Sequence, residues 1–344
     1  VVAWNGGYVA VGSFQNSRGG SQAEAWTSPD WRSWTRTFLD APAAGDSGLN
    51  RVLAVGGRLV AVGTSGEPAC TGPAGAGQLC RPAPVAIWTS LDGRRWERAA
   101  NPAPLAGVAV DAVAANGSLL VLAGNTDWGR PVILTSADGV VWSRASLLGS
   151  PFAEAHFAGL AATPVSFVLT GSTGGRQPTG GVSGNNGSTP AAWLSADGLS
   201  WAPAAVDGAT EDSGDLVGQV FVGGAGLRAW AGHDASFGWS SRDGTRWSAL
   251  PKPFGYPVVP RASDGRHIVG DSYGDGGGEA FWVSADGVAW QPLAAVGAVD
   301  QMPSWDGSGS TADAAFLFPT GLGLIGRNGT DRFPLWFAEG SPGS

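Results

Sequence analysis

The nine residues WVSADGVAW, Trp282 to Trp290, decide how this chain is read, because their pattern recurs along its length. It reads WTSPDWRSW at Trp26 to Trp34, WTSLDGRRW at Trp88 to Trp96, and LTSADGVVW at Leu134 to Trp142. Further copies are WLSADGLSW at Trp193 to Trp201 and WSSRDGTRW at Trp239 to Trp247, and LWFAEG near the end is a degenerate one. In the six full copies the first residue, Trp in five and Leu134 in one, the Ser and the Asp lie two apart, so an extended strand carries all three on one face. Asp-Gly then makes a tight turn: Gly takes positive φ without a Cβ clash, and the carboxylate and the Ser hydroxyl hold the turn's N–H groups. The structural turn residues are therefore Asp30, Asp92, Asp138, Asp197, Asp243 and Asp286, with Glu339 in the last copy.

Upstream of each copy stands another pair of apolar runs around a Gly turn, such as RVLAVGGRLVAVG at Arg51 to Gly63. Two hairpins in succession make four antiparallel strands, named a to d from the inside outward. The copies recur every 43 to 62 residues, the size of one four-stranded propeller blade. Such a sheet has two apolar faces and needs neighbours on both, which accounts for 17 Trp in a chain only 14% charged. Eleven of those Trp occupy the two repeat positions, where packing between blades is their expected role. The fold class this predicts is all-β: one seven-bladed β-propeller domain over residues 1–344, its last blade incomplete. The blades fall at about 1–37, 49–99, 110–146, 157–204, 216–250, 257–293 and 312–340.

A formal charge of −8 and a single lysine, Lys252, argue against a nucleic-acid partner, since phosphate affinity needs clustered Lys and Arg. No run approaches the ~20 apolar residues of a membrane span. Cys70 and Cys80 lie in one Gly/Pro-rich insertion without a His, which favours a local disulfide over zinc and points to a secreted or cell-surface protein. Val1 falls inside an apolar run, so an upstream segment removed by processing is expected. The last blade counts only three strands, leaving an edge for an N-terminal strand or a strand-completing partner, although Pro334 blunts it.

The repeat resembles the Asp-box (BNR) repeats of sialidase-like β-propellers, a family with glycosidases and non-catalytic binding proteins among its members. The resemblance covers nearly the whole chain. Here, however, Asp and Gly adjoin and the following Trp stands four residues after the Asp, one step shorter than the usual box, so a shorter hairpin is expected. The resemblance implies that the boxes occupy the face away from function, and that the b–c and d–a loops gather at the mouth of the central channel.

On that mouth the expected ligand-binding residues are the loop aromatics Trp128, Trp305, Tyr256 and Tyr273, of the kind that stack sugar rings or grip a peptide. Alignment on the Gly that ends strand b puts Asn50, Asp111, Ala158, Gln219, Val258 and Asp313 at one level of strand a. Asn50, Asp111, Gln219 and Asp313 join the ligand-binding set, and Asp111 with Asp313 is the one candidate acid/base pair. Sialidase chemistry fits poorly, because Tyr8 reads as a strand residue and no Arg-Ile-Pro segment is present. The three His, at 156, 233 and 267, fall in different blades, so no metal or other cofactor is expected. Asp271, Asp275 and Glu279 offer at most a Ca²⁺ site. The function expected is a non-catalytic module that binds a glycan or an extracellular protein. A glycoside hydrolase and a structural scaffold are the alternatives.

Overall fold

The computed structural model describes residues 1–15, 20–31, 33–39, 46–67, 69–71, 79–81, 83–100, 103–126, 129–147, 151–152, 155–174, 188–209, 217–231, 237–251, 258–263, 265–273, 279–292, 311–318, 321–327 and 335–339. These form strands almost throughout, with one short 3₁₀ turn at Ala103–Leu105. The chain divides into two compact units: Val1–Leu169, Thr173–Asn186 and Trp193–Pro203 in the first, Thr170–Ser172, Gly187–Ala192 and Ala204–Ser344 in the second.

The first unit opens with the antiparallel sheet β1 (Val2–Trp4), β2 (Gly7–Gln15), β3 (Ser21–Ser28) and β4 (Thr35–Phe38), hydrogen-bonded in chain order. Next come β5 (Ser47–Val55) and β6 (Arg58–Ser65), then the small hairpin β7 (Ala69–Thr71) and β8 (Leu79–Arg81). The second sheet is completed by β9 (Val85–Ser90) and β10 (Glu97–Arg98). The third sheet is β11 (Val108–Ala115), β12 (Leu120–Thr126), β13 (Pro131–Ser136) and β14 (Ser143–Arg144). Strands β15 (Ala155–Ala162), β16 (Phe167–Gly174), β17 (Ser188–Ser195) and β18 (Ala202–Val206) follow in the same order, and the unit boundary crosses the last three of them.

Alternation along these strands supplies both faces of each sheet with apolar side chains, as the two-faced pattern requires. Val60, Val62 and Ile87 of the second sheet pack with Leu120, Leu122, Leu134 and Trp142 of the third in one buried cluster. Trp88 is fully buried against Ala23, Leu49 and Ala61, so its indole joins the first sheet to the second. Burial of each such large side chain stabilises the unit by roughly 1.5–3 kcal/mol.

The turns of the second, third and fourth repeat hairpins are held by one common set of hydrogen bonds. In the third copy Ser136 Oγ accepts from the N–H of Gly139 at 2.8 Å, and Asp138 Oδ1 accepts from the N–H of Val140 and Val141 at 2.8 and 2.9 Å. The Trp142 indole N–H donates to the Gly139 carbonyl at 3.0 Å. The turn Gly also has a neighbour: a Cβ on Gly93, Gly139 or Gly198 would lie 2.6–2.7 Å from a methyl of Val9, Val60 or Val121 in the preceding sheet. Each turn thus seats on the strand of the sheet before it. In the first copy Trp31 takes the Gly place at φ +67° and packs, tilted by 38°, on Tyr8 of β2 with ring centroids 3.8 Å apart.

In the second unit β19 (Val217–Gly223), β20 (Gly226–Ala231), β21 (Phe237–Ser241) and β22 (Arg246–Ala249) form an antiparallel meander. So do β23 (Val259–Ser263), β24 (Ile268–Tyr273), β25 (Glu279–Ser284) and β26 (Gln291–Pro292). The last sheet has three strands, β27 (Thr311–Phe318), β28 (Gly321–Arg327) and β29 (Leu335–Glu339). One feature departs from separate four-stranded sheets. Residues Ala205 and Val206 of β18 pair in parallel with Arg246 and Trp247 of β22, which joins two meanders into eight strands.

Candidate functional site

Strand a of most sheets carries a break in register. The pairing skips a residue between Leu49 and Arg51 in β5, Val110 and Ala112 in β11, Pro260 and Ala262 in β23, and Ala312 and Ala314 in β27. In β19 the irregularity spans Val217 to Val220. A bulge of this kind bends its strand and re-aims one side chain. Opposite it stands the Gly that ends strand b, and the reason is steric: a Cβ on Gly63 or Gly124 would sit 1.9 or 2.0 Å from the carbonyl oxygen of Gly48 or Ala109.

The bulged residues are therefore Asn50, Asp111, Arg261 and Asp313, with Gln219 inside the irregular stretch of β19. Val258 does not belong to this row. In β23–β24 only two pairs separate the bulge from the turn, against five in β5–β6, so a constant count back from the Gly overshoots Arg261. In β5, β11 and β27 the bulge lies toward the end opposite the a–b turn and the repeat hairpin, whereas in β23 it is central.

In the first unit the bulge builds a polar cluster. Asn125, on β12, donates through Nδ2 to Asp111 Oδ2 at 3.1 Å and reaches Oδ1 at 3.4 Å. Crowding by protein raises the Asp111 carboxyl above its ordinary value, and the Asn125 hydrogen bond and the charge of His156 on β15 partly oppose this. Asn50 is exposed, and its carbonyl accepts from Arg51 Nη1 at 3.0 Å. Neither Asn125 nor His156 was marked by the alignment of strand a. Asn125 was legible as the residue after the strand-b Gly, whereas His156 enters from the next sheet and carries no local signal.

Trp128, Trp305 and Tyr256 lie outside the described residues. The backbone of Tyr273 ends β24, where it pairs with Glu279, and Gln219 and Asp313 have strand backbones. Cys70 and Cys80 face each other directly in the β7–β8 ladder. Asp275 lies outside the described residues, and no group of three or more His, Cys, Asp or Glu converges among those described.

No family model and no curated protein matches the chain. Solved structures do match. The structure of YCF48 bound to D1 peptide superposes with a TM-score of 0.57 at 15% identity, covering 99% of this chain and 97% of that one. The β-propeller domain of the trilobed protease from Pyrococcus furiosus, described as having an open velcro topology, gives 0.54 at 8% identity over 98% and 94%. The chain has the β-propeller fold. The BP39L lectin from Burkholderia pseudomallei gives 0.55 at 11% identity over 96% and 92% of the two chains. No helix among the described residues is long and apolar enough to cross a membrane.

Proposed function

We propose that the chain is a secreted, seven-bladed Asp-box propeller that binds a glycan or a protein partner at the bulged end of its innermost strands and catalyses nothing. The Asp111 cluster carries this reading. Its polar neighbours among the described residues are an amide and an imidazole, a set that accepts and donates hydrogen bonds to a ligand without a second carboxylate to complete acid/base catalysis. A solved relative in fold is peptide-bound and another is a lectin, which supports binding as the use of the scaffold. Direct pairing of Cys70 with Cys80 supports the disulfide, and with it an oxidising compartment. A thiol assay under denaturing conditions then finds no free thiol before reduction and two after.

The raised Asp111 carboxyl favours a second reading, a glycoside hydrolase in which a protonated acid serves a leaving group. The same experiment separates the two. The protein is applied to arrays of glycans and peptides and, in parallel, assayed for release of reducing ends. Binding that falls about tenfold or more in Asp111→Asn, with no product formed, upholds the module. Product formation abolished by Asp111→Asn or Asp313→Asn establishes the hydrolase instead.

A further inference from the structure

At the end of the sheets opposite the bulges lies a second cleft. A cleft of about 290 Å³ opens between the first sheet and the repeat hairpin of the second, all within the first unit. Its wall is Trp4, half-buried against Val9, Val52 and Leu59, with its indole N–H already donated to the Leu91 carbonyl at 3.1 Å. What remains is the ring's apolar surface. Around it stand four groups with unused hydrogen-bonding capacity. Asp92 spends Oδ1 on the N–H groups of Arg94 and Arg95 and on the Ser90 hydroxyl, and its Oδ2 makes no hydrogen bond among the described residues. The exposed Arg94 guanidinium and the hydroxyls of Tyr8 and Thr35 likewise have no partner there.

The chemistry of this set is specific. The lining holds one ionised acceptor and one cationic donor, whose charges cancel, so neither an anion nor a cation is favoured. An acceptor and a donor in one lining match the hydroxyls of a sugar, and an aromatic wall matches the C–H face of a pyranose. The volume falls just below the usual range for drug-sized ligands, a size that suits a single ring. The N–H groups of Arg95 and Arg94 hold the Asp92 carboxyl below its ordinary value, which keeps the acceptor charged into mild acid.

From this we infer that the cleft is a binding site for a neutral hexopyranose unit, with Trp4 as its platform and Asp92 and Arg94 gripping hydroxyls of the sugar. The site is distinct from the Asp111 cluster and does not rest on it. The test uses the whole chain with the methyl glycosides of glucose, galactose and mannose, read by saturation-transfer NMR and titration calorimetry. At least one glycoside binds in the millimolar range, and Arg94→Ala and Tyr8→Phe, both folded by circular dichroism, each weaken it about fivefold or more. Asp111→Asn leaves it unchanged. The inference falls if no glycoside transfers saturation at about 20 mM, roughly −2 kcal/mol or weaker in affinity. It falls equally if Arg94→Ala has no effect, if binding is lost in Asp111→Asn, or if an acidic peptide displaces the sugar from this cleft.

Discussion

Gly139 and Gly57 adopt nearly the same backbone, φ +75° and +76°, but differ in what surrounds them. An added methyl on Gly57 meets nothing within 4 Å, whereas on Gly139 it strikes both methyls of Val60 at 2.7 Å. Left-handed backbone alone costs an L-residue roughly 1–2 kcal/mol, and overpacking against a fully buried Val adds typically 1–3 kcal/mol. Gly57→Ala is therefore expected to lower stability by about 1 kcal/mol and Gly139→Ala by about 3 kcal/mol, measured by urea denaturation. The difference between the two reads the seating of one sheet's hairpin on the next. Equal losses would show that the turn Gly is needed for its own backbone only.

At the level of elements, the hairpins were legible because their chemistry is local. Ser, Asp and Gly within four residues contain every partner the turn needs, so Ser136, Asp138 and Gly139 announce their hydrogen bonds in the sequence. The strand-a bulges were half legible. Their facing glycines stand out, but the number of pairs between bulge and turn is a tertiary quantity, and it misplaced the sixth-sheet residue at Val258 instead of Arg261. The parallel pairing of β18 with β22 had no signal at all. It depends on two short outer strands meeting, with the Asp207 N–H donating to the Trp247 carbonyl at 2.8 Å and the Trp239 indole donating to the Asp207 carbonyl at 3.1 Å. The Arg246–Asp207 ion pair beside it is bidentate at 3.0 Å but exposed on both sides. Solvent screening keeps such pairs near 0–1 kcal/mol, so Arg246→Ala is expected to cost less than about 1 kcal/mol by thermal melting. A larger loss would mean that the junction is held by its ion pair and not by the backbone and indole bonds.

For the molecule as a whole, two opposed sets of carboxyls shape stability against pH. The turn aspartates Asp92, Asp138, Asp197, Asp243 and Asp286 all titrate below their ordinary value. At Asp92 the backbone N–H groups dominate, while at Asp138 and Asp286 they win against the upward pull of burial. Their contribution is complete above the unfolded carboxylate range and is lost as pH falls through the depressed values. Glu24 acts in the opposite sense. It is fully buried on β3, its Oε2 is without a hydrogen bond, and its nearest cation is Arg36 Nε at 3.7 Å. Burial raises its carboxyl to about 7, against a smaller downward pull from Arg36. A raised acid binds its proton more tightly when folded. Its ionisation therefore destabilises the fold as pH climbs from about 4.5 to about 7, and the penalty is complete above that. Stability should peak in mildly acidic solution, with an acid limb set by many aspartates and an alkaline shoulder set by one glutamate. Glu24→Gln removes the shoulder alone: it is expected to gain on the order of 2 kcal/mol at pH 8 and almost nothing at pH 5, by urea denaturation at each pH. An equal change at both pH values would mean that Glu24 stays ionised in the fold, with Arg36 as a sufficient partner for its charge.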